Sequence, residues 1–124
     1  MNAKIVLEWD SNLLKNQAYV NGDPKLGHTD ACLKAMWDIK MLFTTAAWDF
    51  QDDRRIQVVI TAYRPRANID AQNLVDSVSD ALEDAIHRND ADFDVSAIGK
   101  LDATRPRIEI EVSYVTQQED DDGC

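Results

Sequence analysis

Asp76, Asp80 and Asp84 recur at four-residue steps in the segment NIDAQNLVDSVSDALEDAIHRND (68–90), with Asp70 just ahead of them and Asp90 just after. Ala71, Leu74, Val75, Val78, Ala81, Leu82, Ala85 and Ile86 fall at i, i+3, i+4 spacing, so the segment predicts an amphipathic helix. Residues four apart on a helix are neighbours, and like charges there cost about 0.2–0.5 kcal/mol per pair. Two readings of the stripe are open. It is a solvated face of an acidic protein with Asp70 as the helix N-cap, or it is a Mg²⁺ site. Mg²⁺ takes oxygen ligands, commonly one or two carboxylates completed by water and substrate phosphates. A divalent ion would offset the repulsion that the empty stripe carries.

Other chemistry finds little support. Gly22, Gly27, Gly99 and Gly123 form no phosphate-binding loop. His28 and His87 stand on a loop and at a helix end without a nucleophile pattern, and both read as surface residues. Cys32 and Cys124 are too few and too distant for a zinc set; Cys32 reads as a small buried hydrophobe.

The elements that must position the aspartates follow from periodicity. Ala3, Ile5, Leu7 and Trp9 alternate with Lys4, Val6 and Glu8, which predicts a strand over 3–9. Residues 10–28 read as a long irregular loop around NGDP. Thr29 or Asp30 caps a helix to about Trp48, with Leu33, Met36, Trp37, Met41 and Thr44 or Trp48 as its inner stripe. Strands are expected over 54–65, 95–101 and 107–115, the last with Ile108, Ile110, Val112 and Tyr114 inward. The order predicts an α+β fold, a mixed sheet of about four or five strands with two helices on one face. One domain over 1–116 is expected, followed by an acidic tail at 117–124.

Across 124 residues the net charge is −10, which repels nucleic acid at long range unless the charge is segregated. It partly is, because Arg54, Arg55, Arg64, Arg66, Arg88, Lys100, Arg105 and Arg107 gather in the second half of the chain. An acidic surface suited to high salt is a further option. With no membrane span or secretory signal in view, a cytosolic setting is expected.

Asp70, Asn73, Leu74, then Asp80-Ala81-Leu82, and Asn89-Asp90 after the helix, together resemble the signature of the RusA-type Holliday-junction resolvases. The match is convincing over about 64–114. The resemblance implies a homodimeric, Mg²⁺-dependent endonuclease (Mn²⁺ being a substitute) that cuts four-way DNA junctions in recombination and repair, in a prokaryotic, prophage or viral setting. It places Asp70 and Asp90 at the metal. Gln72 stands where the family has a second metal-site aspartate, and Asp76 where it has a catalytic lysine. Asp76 is then expected to supply the missing carboxylate, with Gln72 assisting and Asn73 and Asp80 in support. Arg64, Arg66, Arg88 and Lys100 are expected at DNA phosphates, and Lys100, Arg64 or Arg66 as stand-ins for the lysine. The alternative is a RusA-like protein with impaired catalysis, serving as a junction-binding or protein-interaction module.

Overall fold

The computed structural model describes residues 2–44, 50 and 54–115. Strand β1 (Asn2–Glu8) leads through short turns and a one-turn helix α1 (Lys15–Ala18) to helix α2 (Asp30–Phe43). Strand β2 (Ile56–Arg64), helix α3 (Val75–Ile86), strand β3 (Phe93–Leu101) and strand β4 (Arg107–Tyr114) follow. The sheet has the order β1-β4-β2-β3. β4 runs antiparallel to both its neighbours, and β2 and β3 are parallel. Parallel neighbours need a crossover connection, and α3 supplies it. The four-stranded mixed sheet with two main helices is the α+β architecture expected from the sequence.

Alternation puts Ile5, then Ile108, Ile110 and Val112, then Ile56, Val58, Ile60 and Ala62 on the face that the helices cover. Leu74 from the turn just before α3, and Val78, Ala81, Leu82, Ala85 and Ile86 from α3 itself, close the core, as the spacing predicts. Thr29 caps α2, its Oγ1 accepting the Cys32 N–H at 3.1 Å.

The inner stripe of α2 departs from expectation. Cys32, Ala35, Met36, Ile39 and Phe43 are buried, whereas Leu33, Trp37 and Met41 are about half exposed, Trp37 at 56 %. Thr44 is the exposed C-cap, and Trp48 lies outside the described residues. Both stripes satisfy a 3.6-residue period and differ by a rotation of about one residue. The smaller set wins because α2 packs closely on α3, where small faces small: Cys32 Sγ lies 3.6 Å from Ser77 Oγ.

Segment 10–28 also differs from a plain loop. Three short 3-10 turns and α1 fold it over the helices, burying Leu13, Leu14 and Ala18. Local side-chain bonds make those turns, including Asp10 to the Asn12 N–H and Asp23 to the Lys25 N–H, each at 3.0 Å.

The outer face of the sheet carries a cluster of charges beside exposed Val6 and Ile98. Glu109 pairs with Lys4 at 3.2 Å and Arg107 at 3.3 Å, and Arg107 reaches Asp102 at 3.0 Å. Burial pushes the Glu109 carboxyl up, but its bonds to Lys4 and Arg107 outweigh that and hold it below the usual range. The Arg105 backbone N–H and then the Arg107 side chain hold Asp102 low, and the Arg55 side chain does so for Asp94. Carboxyls depressed in the folded state stabilise it above their unfolded pKa, and that contribution is lost as pH falls through the folded values. The thermal midpoint is therefore expected to fall as pH drops below about 4. Glu109→Gln should flatten that acid limb in a calorimetric pH series; an identical limb would exclude Glu109 as a source.

Candidate functional site

Asp70 ends the β2–α3 connection as the cap of a 3-10 turn, Ala71–Leu74, that runs directly into α3. One of its carboxylate oxygens accepts the Gln72 N–H at 3.0 Å. Gln72 sends its amide to the Ala97 carbonyl of β3 at 3.4 Å, so its side chain is tied to the sheet. Asn73 is half-buried, and its backbone N–H closes the turn on the Asp70 carbonyl at 3.1 Å.

Asp76 and Asp80 follow on the side of α3 that meets segment 10–28. Lys15 Nζ of α1 lies 3.9 Å from Asp76, and His28 Nε2 lies 3.0 Å from Asp80. At the far end His87 adopts a left-handed conformation (φ 61°) and reverses the chain. Asn89 caps the next turn, and the Asp90 N–H comes back onto Glu83 Oε2 at 3.0 Å. The result is a three-carboxylate group, Asp80, Glu83 and Asp90, each offering an oxygen within 4.8 Å of the others.

Of the aspartates singled out in sequence, Asp90 and Asp80 are brought together. Asp70 and Asp76 join no such acidic group among the described residues. Twelve-residue α3 has a length of about 18 Å, with Asp70 before its first turn and Asp90 after its last. Asp84 turns away from the group, into a groove beside Leu33, Trp37 and Lys40. Glu83 was missed by the sequence reading. Its signal was its spacing, three residues beyond Asp80 and seven beyond Asp76, which returns it to their stripe.

His28 was missed too. It is not a surface residue: its side chain is 13 % exposed, stacked on Tyr19 with ring centroids 4.6 Å apart. Its Nδ1 lies 3.5 Å from Cys32 Sγ, so thiol, imidazole and the Asp80 carboxylate stand in a row. This row is no nucleophilic triad. Cys32 has no exposed surface, and burial pushes its thiol up despite the Ser77 hydroxyl, away from the reactive thiolate. Nothing in the local sequence announced the contact, because 52 residues separate His28 from Asp80.

The basic residues divide between the two ends of the sheet. Arg64, Arg66, Lys100, Arg105 and Arg107 lie where β2 and β3 finish and β4 starts, the end that also carries Asp70. Arg54, Arg55 and Arg88 lie at the other. Arg64 donates to the carbonyls of Lys100, Ala67 and Ile69 at 3.3, 3.1 and 2.8 Å, holding the connection that delivers Asp70. It lies so close over Gly99 that a Cβ there would meet its guanidinium at 3.1 Å. Arg88 bonds Asp92 and the carbonyls of Phe50 and Arg54. Both side chains are thus engaged within the chain. Arg66, Lys100 and Arg105 make no ion pair among the described residues.

A mixed sheet with α3 crossing between parallel strands, acids along that helix and, among the described residues, cations without ion pairs at one end, defines a small α+β domain. The model of the family Endodeoxyribonuclease RusA matches residues 13–113, and the chain belongs to that family. No curated protein matches it in sequence. Among the described residues no helix is long and apolar enough to cross a membrane.

Proposed function

We propose that this protein is a metal-dependent endonuclease that resolves Holliday junctions or related branched DNA in recombination and repair. The observation that carries the reading is the convergence of Asp80, Glu83 and Asp90 on a chain of the RusA family. These residues fit a hard divalent cation such as Mg²⁺ or Mn²⁺, which prefers carboxylate oxygens. Asp80 and Glu83 each spend one oxygen, on His28 and on the Asp90 N–H, and keep the other. When bound, the ion supplies an activated water and stabilises charge at the scissile phosphate.

The chain's own residues do the rest. His28 orients Asp80, and the turn capped by Asn89 sets Asp90 against Glu83. Asp76 and Asp70 continue the acidic stripe to the start of α3 and just ahead of it, with the neutral Gln72 between them. The resemblance points to Asp70 and Asp90 at the metal, with Asp76 supplying the carboxylate that Gln72 lacks and Gln72 assisting, so the two ligand sets share Asp90. Where the motif's lysine is replaced by Asp76, Lys15 of α1 brings an ammonium within 3.9 Å of the Asp76 carboxylate. Arg66 and Lys100 are the motif-flanking cations free to hold phosphates, with Arg64 shaping the connection between them.

Mg²⁺-dependent cleavage of a synthetic four-way junction tests the reading. Junction binding without cleavage would favour the second one, a module that keeps the fold and has lost catalysis. The changes at Gln72 and Asp76 are what speak for it.

A second copy of the chain completes the proposal. Leu33, Trp37 and Met41 form an exposed apolar stripe on α2, and the adjoining groove carries both Lys40 and Asp84. A two-fold contact pairs each patch with itself, an arrangement that lets Lys40 of each copy meet the Asp84 carboxylate of the other. Trp37→Glu is expected to convert a dimer to a monomer in light scattering, with the fold retained by circular dichroism. A dimer that survives this change would place the contact elsewhere.

A further inference from the structure

Directly paired residues on neighbouring strands point to the same face of a sheet. Glu8 pairs with Arg107, Arg107 with Tyr63, and Tyr63 with Lys100, so these four make one row across the outer face at the end of the sheet. Arg107 lies over the Tyr63 ring at 3.6 Å, with Lys100 on the same ring at 5.7 Å. Asp102 and Glu109 neutralise Arg107, but Lys100 has no acidic partner among the described residues. Four strands span about 14 Å at 4.8 Å per step.

At the β1 corner the row opens into a cleft of about 800 Å³ lined by Trp9, Glu8, Thr104, Arg105 and Arg107, among others. Trp9 packs partly on the core, with its indole N–H donated to Ser11 at 3.2 Å. Arg105 lies on the β3–β4 connection. It is exposed, and its guanidinium has no ion pair among the described residues. In a chain of net charge −10, free cations and aromatic rings are thus collected along one edge. Aromatic faces that stack bases, beside cations that hold phosphates, are what an unpaired nucleic-acid strand requires.

We propose that Trp9 and Arg105, continued by the Arg107–Tyr63–Lys100 row, form a contact track for a single strand of DNA at the branch, separate from the acidic stripe of α3. Arg105 and Lys100 take phosphates, and Trp9 takes an unstacked base in the cleft. The single Glu8 carboxylate at the wall disfavours a second phosphate there and leaves the base as the occupant. The inference rests on the junction-cutting reading and adds to it a site for an unpaired nucleotide.

The test is fluorescence anisotropy with a labelled four-way junction carrying a short unpaired arm and with a blunt duplex, across a salt series. Arg105→Ala should weaken junction binding several-fold and lower the slope of log K against log[salt] by about 0.7–0.9, one phosphate contact. Trp9→Phe should leave that slope unchanged and weaken the unpaired-arm junction more than the duplex. Lys25→Ala, at an exposed lysine of the Pro24–Leu26 turn outside the proposed track, should change nothing. Wild-type junction binding unaffected by Arg105→Ala and Trp9→Phe would overturn the track and leave the nuclease reading standing. A wild-type protein that binds neither DNA would overturn both.

Discussion

Asp90→Asn is expected to reduce Mg²⁺-dependent junction cleavage by about 100-fold or more, because it removes a charge from the only carboxylate common to both ligand sets. The fold should be untouched. The Asp90 side chain is exposed, and its structural bond to Glu83 comes from the backbone N–H, which asparagine keeps. Millimolar Mg²⁺ should raise the thermal midpoint of the wild type, since a ligand that binds only the folded state stabilises it. That rise should vanish in Asp90→Asn. The neighbouring variants separate the two sets. A loss of cleavage and of the Mg²⁺ shift in Asp80→Asn as deep as in Asp90→Asn supports the group that the fold assembles at the end of α3. A loss in Asp70→Asn and Asp76→Asn with Asp80→Asn active supports the family frame instead. Full activity in Asp90→Asn would remove the metal assignment altogether.

Leu74→Ala carries the largest expected cost to stability. Leu74 is fully buried at the junction of the 3-10 turn with α3, in the turn that presents Asp70 and Gln72. Truncating such a residue loses its transfer free energy and leaves a cavity, together about 2–5 kcal/mol. For a domain of this size that is a drop in midpoint of roughly 10 °C or more. Chemical denaturation should show a lower midpoint concentration with an unchanged slope. A cost below about 1 kcal/mol would mean that the turn is held from elsewhere, Arg64 and its three carbonyls being the nearest alternative.

The strands were legible because alternation within each was nearly complete. Ile108, Ile110 and Val112 had a single way to face a core, and β1 took the side that Ile5 and Leu7 required. The helix of the acidic stripe was equally plain. Helix α2 was not, since two stripes one residue apart both satisfied its period and side-chain size favoured the wrong one. What decided it was the closeness of α3, a tertiary quantity that no local pattern carries. The site divides in the same way. Asp80 and Asp90 were visible as acids in a family frame, and Glu83 lay within reach of helical spacing. The role of His28, the approach of Lys15 to Asp76, the reach of Arg64 to the Lys100 carbonyl and that of Arg88 to the Phe50 and Arg54 carbonyls depend on segments far apart in the chain.

The sheet order has a consequence for how the molecule is made. β4, lying between β1 and β2, is the last of the strands to leave the ribosome, yet it is the one that both of them need. Until residues 107–114 emerge, β1 has no partner, and β2 can pair only with β3. The Asn2–Ser113 pairing joins residues more than a hundred positions apart, the kind of contact that slows folding. A nascent chain halted before Arg107 therefore exposes the strand edges that β4 covers in the finished sheet, which adds an aggregation hazard during synthesis.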